Sequence, residues 1–153
     1  MFHIVLYEPE IPQNAGNIAR TCAATNCHLH LIKPLGFRLN DKYLKRAGLD
    51  YWEHVHWQVH DDFASFLASL CRIRIHLFTT KASTYYHTVE YLPGDALVFG
   101  PETRGLPEIL FQQYPQSLLK IPQSEKVRSL NLANAVNIAL YDALRQNNVP
   151  GML

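Results

Sequence analysis

The chain lacks the features that mark several classes of protein. Its three cysteines, Cys22, Cys27 and Cys71, show no Cys-x-x-Cys spacing, which argues against a disulfide framework and favours reduced thiols. The formal net charge is only +1, unlike that of a basic protein that coats nucleic acid. No apolar run approaches the roughly 18 residues of a membrane span, and the opening segment lacks the basic region of a signal peptide. We therefore expect a soluble cytoplasmic protein with no membrane anchor.

Apolar runs rich in β-branched and aromatic residues are present, and helical patterns lie between most of them. These runs predict six strands, over residues 2–7, 28–32, 54–59, 73–79, 95–99 and 118–121. Strands that alternate with helices are typical of an α/β fold with a mainly parallel sheet flanked by helices. The 153 residues contain no repeat, linker or low-complexity segment, so we expect a single domain over 1–153.

Capping and turn residues place the predicted helices. The first is expected to begin near Asn14, a good N-cap. The others are expected over about 41–47 with Gly48 at the C-cap, from Asp61 or Asp62, from Pro107 at position N1, and over about 130–146 with Ser129 as N-cap.

The segment FGPETRGLP, residues 99–107, follows the fifth predicted strand. Ligands of parallel α/β sheets bind beyond the carboxyl ends of the strands, so this segment lies where a ligand is expected. Gly100 and Gly105 have the spacing of a phosphate-binding P-loop, but the lysine and the serine or threonine that complete that motif are missing. Two interpretations remain: a loop whose backbone approaches a ligand, and a glycine-rich turn in which Glu102 and Arg104 form a surface pair.

Four histidines form two pairs with strand spacing, His28 with His30 and His54 with His56. Alternate residues of a strand face the same side, so each pair would share one face. A metal site needs a third ligand, and no Cys, Asp or Glu falls at a suitable spacing. We therefore predict histidines on the solvent side of the strands and no metal.

The segment NAGNIAR, residues 14–20, combines residues that are unusual inside a helix. Gly16 lowers helix stability, and Asn14 and Asn17 favour polar contacts at a helix end. Arg20 lies three residues after Asn17, on the same side of the helix. One interpretation is a capped helix with a surface arginine. The other is a polar cluster for a phosphate or a ribose, with Arg20 as a forked donor.

A third segment, IPQSEKVRSLNLANAVNIALYDAL, carries asparagine at Asn131, Asn134 and Asn137. Three asparagines in one helix conflict with helix propensity, and such conflicts are expected at functional or interface sites. An exposed polar face would more commonly show Glu and Lys. The pattern therefore favours a functional or interface helix.

In this order, the three segments resemble the motifs of the SPOUT class of RNA methyltransferases. The opening IVLYEPEIPQNAGNIARTCAAT and the closing NIALYDALRQ are similar to the TrmL (YibK) type, the tRNA 2′-O-methyltransferases that act on the wobble nucleotide. The resemblance extends over essentially the whole chain. Ala15 and Ala133 depart from it, since relatives often carry a hydroxyl side chain there, but neither is assigned to the chemistry.

The resemblance implies a fold that periodicity does not reveal. In the SPOUT class the carboxy-terminal segment threads through a loop to form a deep trefoil knot. Two copies form a homodimer through their first and last helices. The faces of residues 14–25 and 130–146, with Tyr141 nearby, thus become interface candidates.

The resemblance also implies S-adenosyl-L-methionine as the cofactor, held in a bent shape mainly by backbone groups of three loops. By position, the implied cofactor-binding residues are Phe78, Thr79, Gly100, Glu102, Gly105, Ile121, Ser129 and Leu130. A glycine at position 100 would let the backbone close on the adenosyl group. The absence of the P-loop lysine agrees with a cofactor that has no phosphate.

The implied reaction is methyl transfer to the ribose 2′-oxygen of position 34, a C or a modified U, in the anticodon stem-loop of tRNA. Arg20 is the implied catalytic residue. Because a guanidinium stays protonated, we expect Arg20 to orient the hydroxyl and stabilise the developing alkoxide. The expected tRNA contacts are Asn14, Asn17, Lys45, Arg46, Arg128 and Asn131. Two alternatives stay open: 2′-O-methylation at another tRNA or rRNA site, and a non-catalytic RNA-binding dimer of the same fold.

Overall fold

The computed structural model describes residues 1–40, 42, 44, 46 and 51–149. The helix predicted over about 41–47 falls largely outside this range, as do its expected C-cap Gly48 and the candidate tRNA contact Lys45. Within that segment, Leu44 is helical and buried, whereas Lys42 and Arg46 are helical and exposed.

Within the described residues, six strands form one parallel sheet, which confirms the predicted α/β fold. The strands are β1 (His3–Tyr7), β2 (His28–Ile32), β3 (Trp57–His60), β4 (Ile75–Phe78), β5 (Ala96–Phe99) and β6 (Leu118–Leu119). They lie in the order β3-β2-β1-β5-β4-β6, and all neighbouring pairs are parallel. β3 begins later than predicted, because His54 belongs to a short 3₁₀ helix, Trp52–His54.

Four α-helices have both ends within the described residues. They are α1 (Pro12–Thr25), α2 (Phe63–Ser69), α3 (Glu108–Gln113) and α4 (Leu132–Gln146). Asp62 caps α2 as predicted, accepting a hydrogen bond from the backbone N–H of Ser65 at 2.7 Å. The predicted start of α1 is wrong: Pro12 occupies the first turn, where its missing N–H costs nothing, so Asn14 lies inside the helix. Pro107 is the N-cap of α3 and not its first residue.

Apolar side chains fill both faces of the sheet. Alternate strand residues face opposite sides, so Ile4 and Leu6 pack under α1 and α4, whereas Val5 packs under α2 and α3. All four residues of β5 are buried. A parallel strand covered on both faces requires such a continuous apolar run, and this run predicts β5 from the sequence.

The connection between β4 and β5 contacts the carboxy-terminal part of the chain at two places. The backbone N–H of Lys120 donates to the carbonyl of Thr84, and the N–H of Tyr86 donates to the carbonyl of Lys120, both at 2.9 Å. At the far end of α4, the Gln146 side chain accepts from the backbone N–H of Tyr91 at 3.0 Å. The connection therefore binds the chain both before and after the last helix.

Five histidines lie together on the α2 side of the sheet, and we call them the histidine cluster. They are His3, His28, His30, His56 and His60. His30 shares a hydrogen bond with His3 and another with His60, each with 2.9 Å between the ring nitrogens. The prediction of solvent-facing histidines is wrong for His30, because α2 covers it with Phe66. His56, and also His54 outside the cluster, are exposed as predicted.

Burial keeps the inner part of the histidine cluster neutral. Desolvation, together with the neighbouring His3 and His60, lowers the pKa of His30 to about 3. Desolvation and the neighbouring His28 lower the pKa of His3 to about 4. A neutral ring both donates and accepts, which the chain of ring-to-ring hydrogen bonds requires.

The histidine cluster predicts that acid destabilises the protein. The pKa of His30 falls from 6.5 to about 3 on folding, so the unfolded chain takes up protons first as the pH falls. The free energy of unfolding should decrease below about pH 6.5, by up to about 1.4 kcal/mol per pH unit for this residue, until about pH 3. Urea denaturation at a series of pH values measures this slope.

His30→Gln should show a shallower slope, because one depressed pKa is removed. His54→Gln is the matched control, since His54 is exposed and lies outside the cluster. Equal slopes in the wild type and both variants would contradict the prediction.

Candidate functional site

A cavity of about 490 Å³ opens where β4, β5 and β6 end. Its walls are three stretches of chain, residues 78–81 after β4, 99–106 after β5 and 121–132 after β6, together with residues from α1, α3 and α4. Small-molecule sites commonly have volumes of roughly 300–1,000 Å³ and lie beyond the carboxyl ends of parallel strands. Both its size and its position make this cavity the candidate site.

The structure brings most of the predicted site residues to this cavity. All eight predicted cofactor residues line it: Phe78, Thr79, Gly100, Glu102, Gly105, Ile121, Ser129 and Leu130. Three of the predicted tRNA contacts line it as well: Asn14, Arg128 and Asn131. Arg20 and Asn17 lie on the exposed side of α1, away from the cavity lining, and Arg46 is also exposed and outside it.

The 99–106 wall folds back on itself. A Cβ atom at Gly100 would overlap the backbone of Gly105 and Leu106, so only glycine allows this close approach. Gly105 has a φ of +68°, and its N–H donates to the carbonyl of Pro101 at 3.0 Å. Gly100 is thus required by the loop itself, a reason that does not depend on a ligand.

The Glu102 carboxylate joins this wall to the amino-terminal end of α1. It accepts hydrogen bonds from the backbone N–H groups of Glu10 (2.8 Å) and Ile11 (3.0 Å), and from the side-chain amide of Asn14 (3.2 Å). Ile11 is the N-cap of α1 and has no polar side chain, so Glu102 supplies the cap from another loop. Its negative charge is also favoured by the helix dipole.

Two asparagines extend this contact to α4. The Asn14 side-chain oxygen accepts from the Asn131 amide at 3.0 Å, and the Asn131 oxygen accepts from the backbone N–H of Asn134 at 3.2 Å. Asn131 is therefore the N-cap of α4, and the prediction of Ser129 is wrong. Asn131 holds this position because its side chain reaches both the helix end and Asn14, whereas Ser129 belongs to the cavity wall.

Two acidic residues that the sequence analysis did not single out hold the same wall. Glu10 accepts hydrogen bonds from the backbone N–H and the hydroxyl of Thr103, at 2.9 and 2.8 Å, and these bonds lower the pKa of the Glu10 carboxyl. Arg104 pairs with Glu8 at 2.8 Å. The Arg128 guanidinium donates to the carbonyl of Thr103, which links the third wall to the second. The sequence feature that points to a role for Glu8 and Glu10 is their position in the segment YEPEIP, directly after β1, where ligands of parallel sheets bind.

Arg20 projects from α1 against an aromatic ring. Its guanidinium carbon lies 4.8 Å from the centroid of the Tyr51 ring. Tyr51 precedes the 3₁₀ helix Trp52–His54, and Trp52 donates to the carbonyl of Leu44 at 3.4 Å. The exposed Arg20 therefore lies beside a segment that contacts Leu44, between the exposed cations Lys42 and Arg46.

The part of the chain that the structure describes contains no group of three or more His, Cys, Asp or Glu arranged to hold a metal ion. It also has no helix with the length and apolar character needed to cross a membrane. Cys22 and Cys27 are buried and Cys71 is exposed, and all three are free thiols.

Comparison with known proteins gives strong similarity over the whole chain. The model of the SpoU rRNA Methylase family matches residues 1–141. The tRNA (cytidine(34)-2′-O)-methyltransferase of Methylovorus glucosotrophus is 51% identical over 152 residues, which are 99% of each chain. A solved structure that gives insights into the 2-OH methylation of C/U34 on tRNA is 53% identical, with a TM-score of 0.93 and 97% of each chain covered.

The similarity also includes a protein with a bound ligand. The AdoMet-bound rRNA methyltransferase of Sinorhizobium meliloti is 25% identical, with a TM-score of 0.84. The alignment covers 94% of this chain and 56% of that one. All three walls of the cavity lie within the part of the chain that the family model matches.

The two glycines of the 99–106 wall should respond differently to the same added methyl group. Gly100→Ala places a Cβ against the backbone of Gly105 and Leu106, so the wall must move, and we expect a loss of about 3 kcal/mol or more in the free energy of unfolding. Gly105→Ala meets no atom within 4 Å and suffers only the strain of a positive φ, about 1–2 kcal/mol. Urea denaturation measures both, and equal losses would contradict the overlap at Gly100.

Removal of the Glu102 charge should weaken the contact between the wall and α1. Glu102→Gln loses the charge and turns an amide group toward donors, and we expect a loss of about 1–3 kcal/mol. Glu108→Gln is the matched control, because Glu108 pairs with Lys81 on the surface, where an ion pair contributes at most about 1 kcal/mol. Thermal or urea unfolding compares them. A Glu102→Gln protein as stable as the control would show that the carboxylate is dispensable.

Proposed function

The chain belongs to the SpoU rRNA methylase family, and on this basis we propose that it is a tRNA 2′-O-methyltransferase that uses S-adenosyl-L-methionine. Its substrate is the ribose 2′-OH of the wobble nucleotide, position 34, a C or a modified U. Relatives of nearly equal length support this substrate. The observation that carries the proposal is the cavity at the strand ends: two of its walls belong to the second and third sequence motifs, and Asn14 of the first motif lines it as well.

The cavity has the chemistry that this cofactor requires. Its walls combine apolar rings, such as the stacked Phe78 and Phe99, with the Gly100–Gly105 turn and with Ser129 and Leu130. An adenine and a methionine chain fit such a mixture of apolar surface and few polar groups. When bound, the cofactor supplies a methyl group on a sulfonium, which is reactive without further activation. The Glu102 carboxylate is engaged by α1, so we assign it to the shape of the pocket.

We also propose that residues 1–153 form one domain with a carboxy-terminal trefoil knot. The contacts of the β4–β5 connection with Lys120 and Gln146 support a path in which the last segment passes through that connection. In such a knot the three cavity walls are held against each other by the crossing chains. The knot would thus keep a pocket made of loops in a single shape.

We further propose a homodimer formed through α1 and α4. Ile138 and Tyr141 of α4 leave apolar surface in solvent, with 38% and 50% of the residue exposed. Arg20 supports the same arrangement, because it is exposed on α1 and does not line the cavity of its own chain. A second copy packed on these helices would bring its own Arg20 toward the first cavity.

In the reaction, Arg20 acts on the ribose and not on the cofactor. Its guanidinium remains protonated, so it orients the 2′-hydroxyl by donating hydrogen bonds and stabilises negative charge on the oxygen as the hydroxyl proton passes to solvent water. Alignment of the oxygen with the methyl group supplies much of the remaining rate enhancement.

The tRNA contacts that we propose are the exposed Asn17, Arg46 and Lys45, the last of which lies outside the described residues. They would bind the anticodon stem-loop by its phosphates, so affinity should weaken with salt. Asn14 and Asn131 have both ends of their amides engaged within the chain. We therefore assign these two, like Arg128 on Thr103, to holding the cavity walls in place. A tRNA-modifying enzyme of this kind would act in the cytoplasm, on tRNA there.

Incubation of purified protein with total tRNA and labelled S-adenosyl-L-methionine, followed by nucleoside mapping, tests the activity. We expect the label on the 2′-oxygen of position 34. Arg20→Ala should lower the rate constant about 100- to 1,000-fold and leave cofactor affinity by calorimetry unchanged, since Arg20 acts only on the reacting oxygen. Label at another nucleotide would correct the site. Binding of tRNA with no transfer would favour a non-catalytic RNA-binding dimer.

Mixed dimers test whether Arg20 acts across the interface. One variant, Thr79→Trp, has a filled cavity, and a second variant, Arg20→Ala, lacks the arginine. Each variant by itself should be inactive. When the two variants are co-expressed, about half of the dimers contain one chain of each. Each mixed dimer has one site that combines an open cavity with an Arg20 from the other chain. We therefore expect about a quarter of the wild-type activity. If Arg20 acts within its own chain, the mixture stays inactive.

A further inference from the structure

We propose that Tyr51 is a positioning residue for Arg20, and that its ring holds the guanidinium in the orientation in which it meets the ribose 2′-oxygen. The inference rests on the proposed function, because it concerns the residue to which that function assigns the chemistry. It adds a residue outside the three motif segments, from a part of the chain that no motif covers.

The contact between the two side chains is a cation–π pair. The guanidinium carbon of Arg20 lies 4.8 Å from the centroid of the Tyr51 ring, within the roughly 6 Å over which such pairs attract. Among the described residues, the Arg20 side chain has this cation–π contact and no hydrogen bond or ion pair. The conformation of an exposed arginine on α1 therefore depends on Tyr51.

The backbone of Tyr51 is held in place by the short 3₁₀ helix that follows it. Its carbonyl accepts a hydrogen bond from the backbone N–H of His54 at 2.9 Å, which closes the 3₁₀ helix. The next residue, Trp52, packs on the core. Its ring forms an edge-to-face pair with the ring of Trp57 in β3, with 5.4 Å between the ring centroids. Tyr51 is thus held at an end of a short helix that is anchored to the sheet, and it offers a stiff surface to Arg20.

A ring is a better support than a carboxylate for this task. Arg74 pairs with Asp95, Arg104 with Glu8 and Arg145 with Asp142. In each of these pairs the carboxylate occupies guanidinium donors and neutralises the charge. A ring contacts the flat face and leaves the N–H groups at the edge free to donate. Arg20 therefore keeps its full charge and its donors for the 2′-oxygen while losing rotational freedom.

Three variants of the full-length protein test the inference. Tyr51→Phe keeps the ring, Tyr51→Leu removes it, and Tyr85→Leu removes an exposed tyrosine that contacts Lys120 elsewhere. At saturating tRNA and cofactor we expect Tyr51→Leu to lower the methyl-transfer rate constant about 2- to 30-fold, with the Kd for S-adenosyl-L-methionine unchanged. Tyr51→Phe and the Tyr85→Leu control should stay near the wild type. An equal loss in Tyr51→Phe and Tyr51→Leu would overturn the role of the ring.

A double-mutant cycle separates positioning from other roles. If Tyr51 acts through Arg20, then Tyr51→Leu added to Arg20→Ala lowers the rate constant no further. A further loss of the same size would show that Tyr51 acts independently, for example by stacking on an RNA base, and would overturn the inference.

The side-chain NMR signal of Arg20 gives a readout that does not depend on activity. The ring should shift the Arg20 Nε–H resonance, and this shift should persist in Tyr51→Phe and disappear in Tyr51→Leu. An Arg20 resonance unchanged in Tyr51→Leu overturns the inference, whatever the enzyme does. By contrast, a wild-type protein that shows the shift and transfers no methyl group to tRNA refutes the proposed function alone.

Discussion

The contact on which the rest of the site depends is that between the Glu102 carboxylate and the start of α1. Helix starts leave backbone N–H groups without partners, and α1 begins with Ile11 and Pro12, neither of which has a side chain that accepts a hydrogen bond. Glu102, about 90 residues further along the chain, accepts from the N–H groups of Glu10 and Ile11. The same contact therefore caps α1 and holds the loop after β5 in a fixed position.

From this contact, hydrogen bonds extend to two of the three cavity walls, residues 99–106 and 121–132. The Asn14 side chain donates to Glu102 and accepts from Asn131, and Asn131 caps the last helix. Thr103 donates hydrogen bonds to the Glu10 carboxylate, and its carbonyl accepts one from Arg128. The walls are loops and would be mobile if isolated, since loops have few buried apolar contacts. Here the Arg128 side chain joins the 121–132 wall to the 99–106 wall, and Asn14 joins both walls to α1, so this side of the pocket keeps its shape.

Charge is used differently for structure and for the proposed chemistry. Several cations of the fold pair with carboxylates, and Asp95 is contacted by both Arg74 and His76. Burial opposes its ionisation, yet the hydrogen bonds from His76 and Arg74 lower its pKa to about 2. Arg20 instead lies on a tyrosine ring. Among the described residues no carboxylate pairs with Arg20, so no ion pair offsets its positive charge.

The sequence by itself determined the α/β class, the parallel sheet and the loops that line the cavity, because strand and helix periodicity and glycine spacing are local properties. Helix starts were less predictable. Asn14 and Ser129 are good caps by residue type, but α1 is capped by Glu102 from a distant loop and α4 by Asn131, which also binds Asn14. The burial of His30 escaped prediction for the same reason, since α2 covers it only in the folded chain. Tertiary structure alone decided which side chains meet, including Glu102 with α1 and Arg20 with Tyr51, because those partners lie far apart in sequence and folding brings them within contact distance.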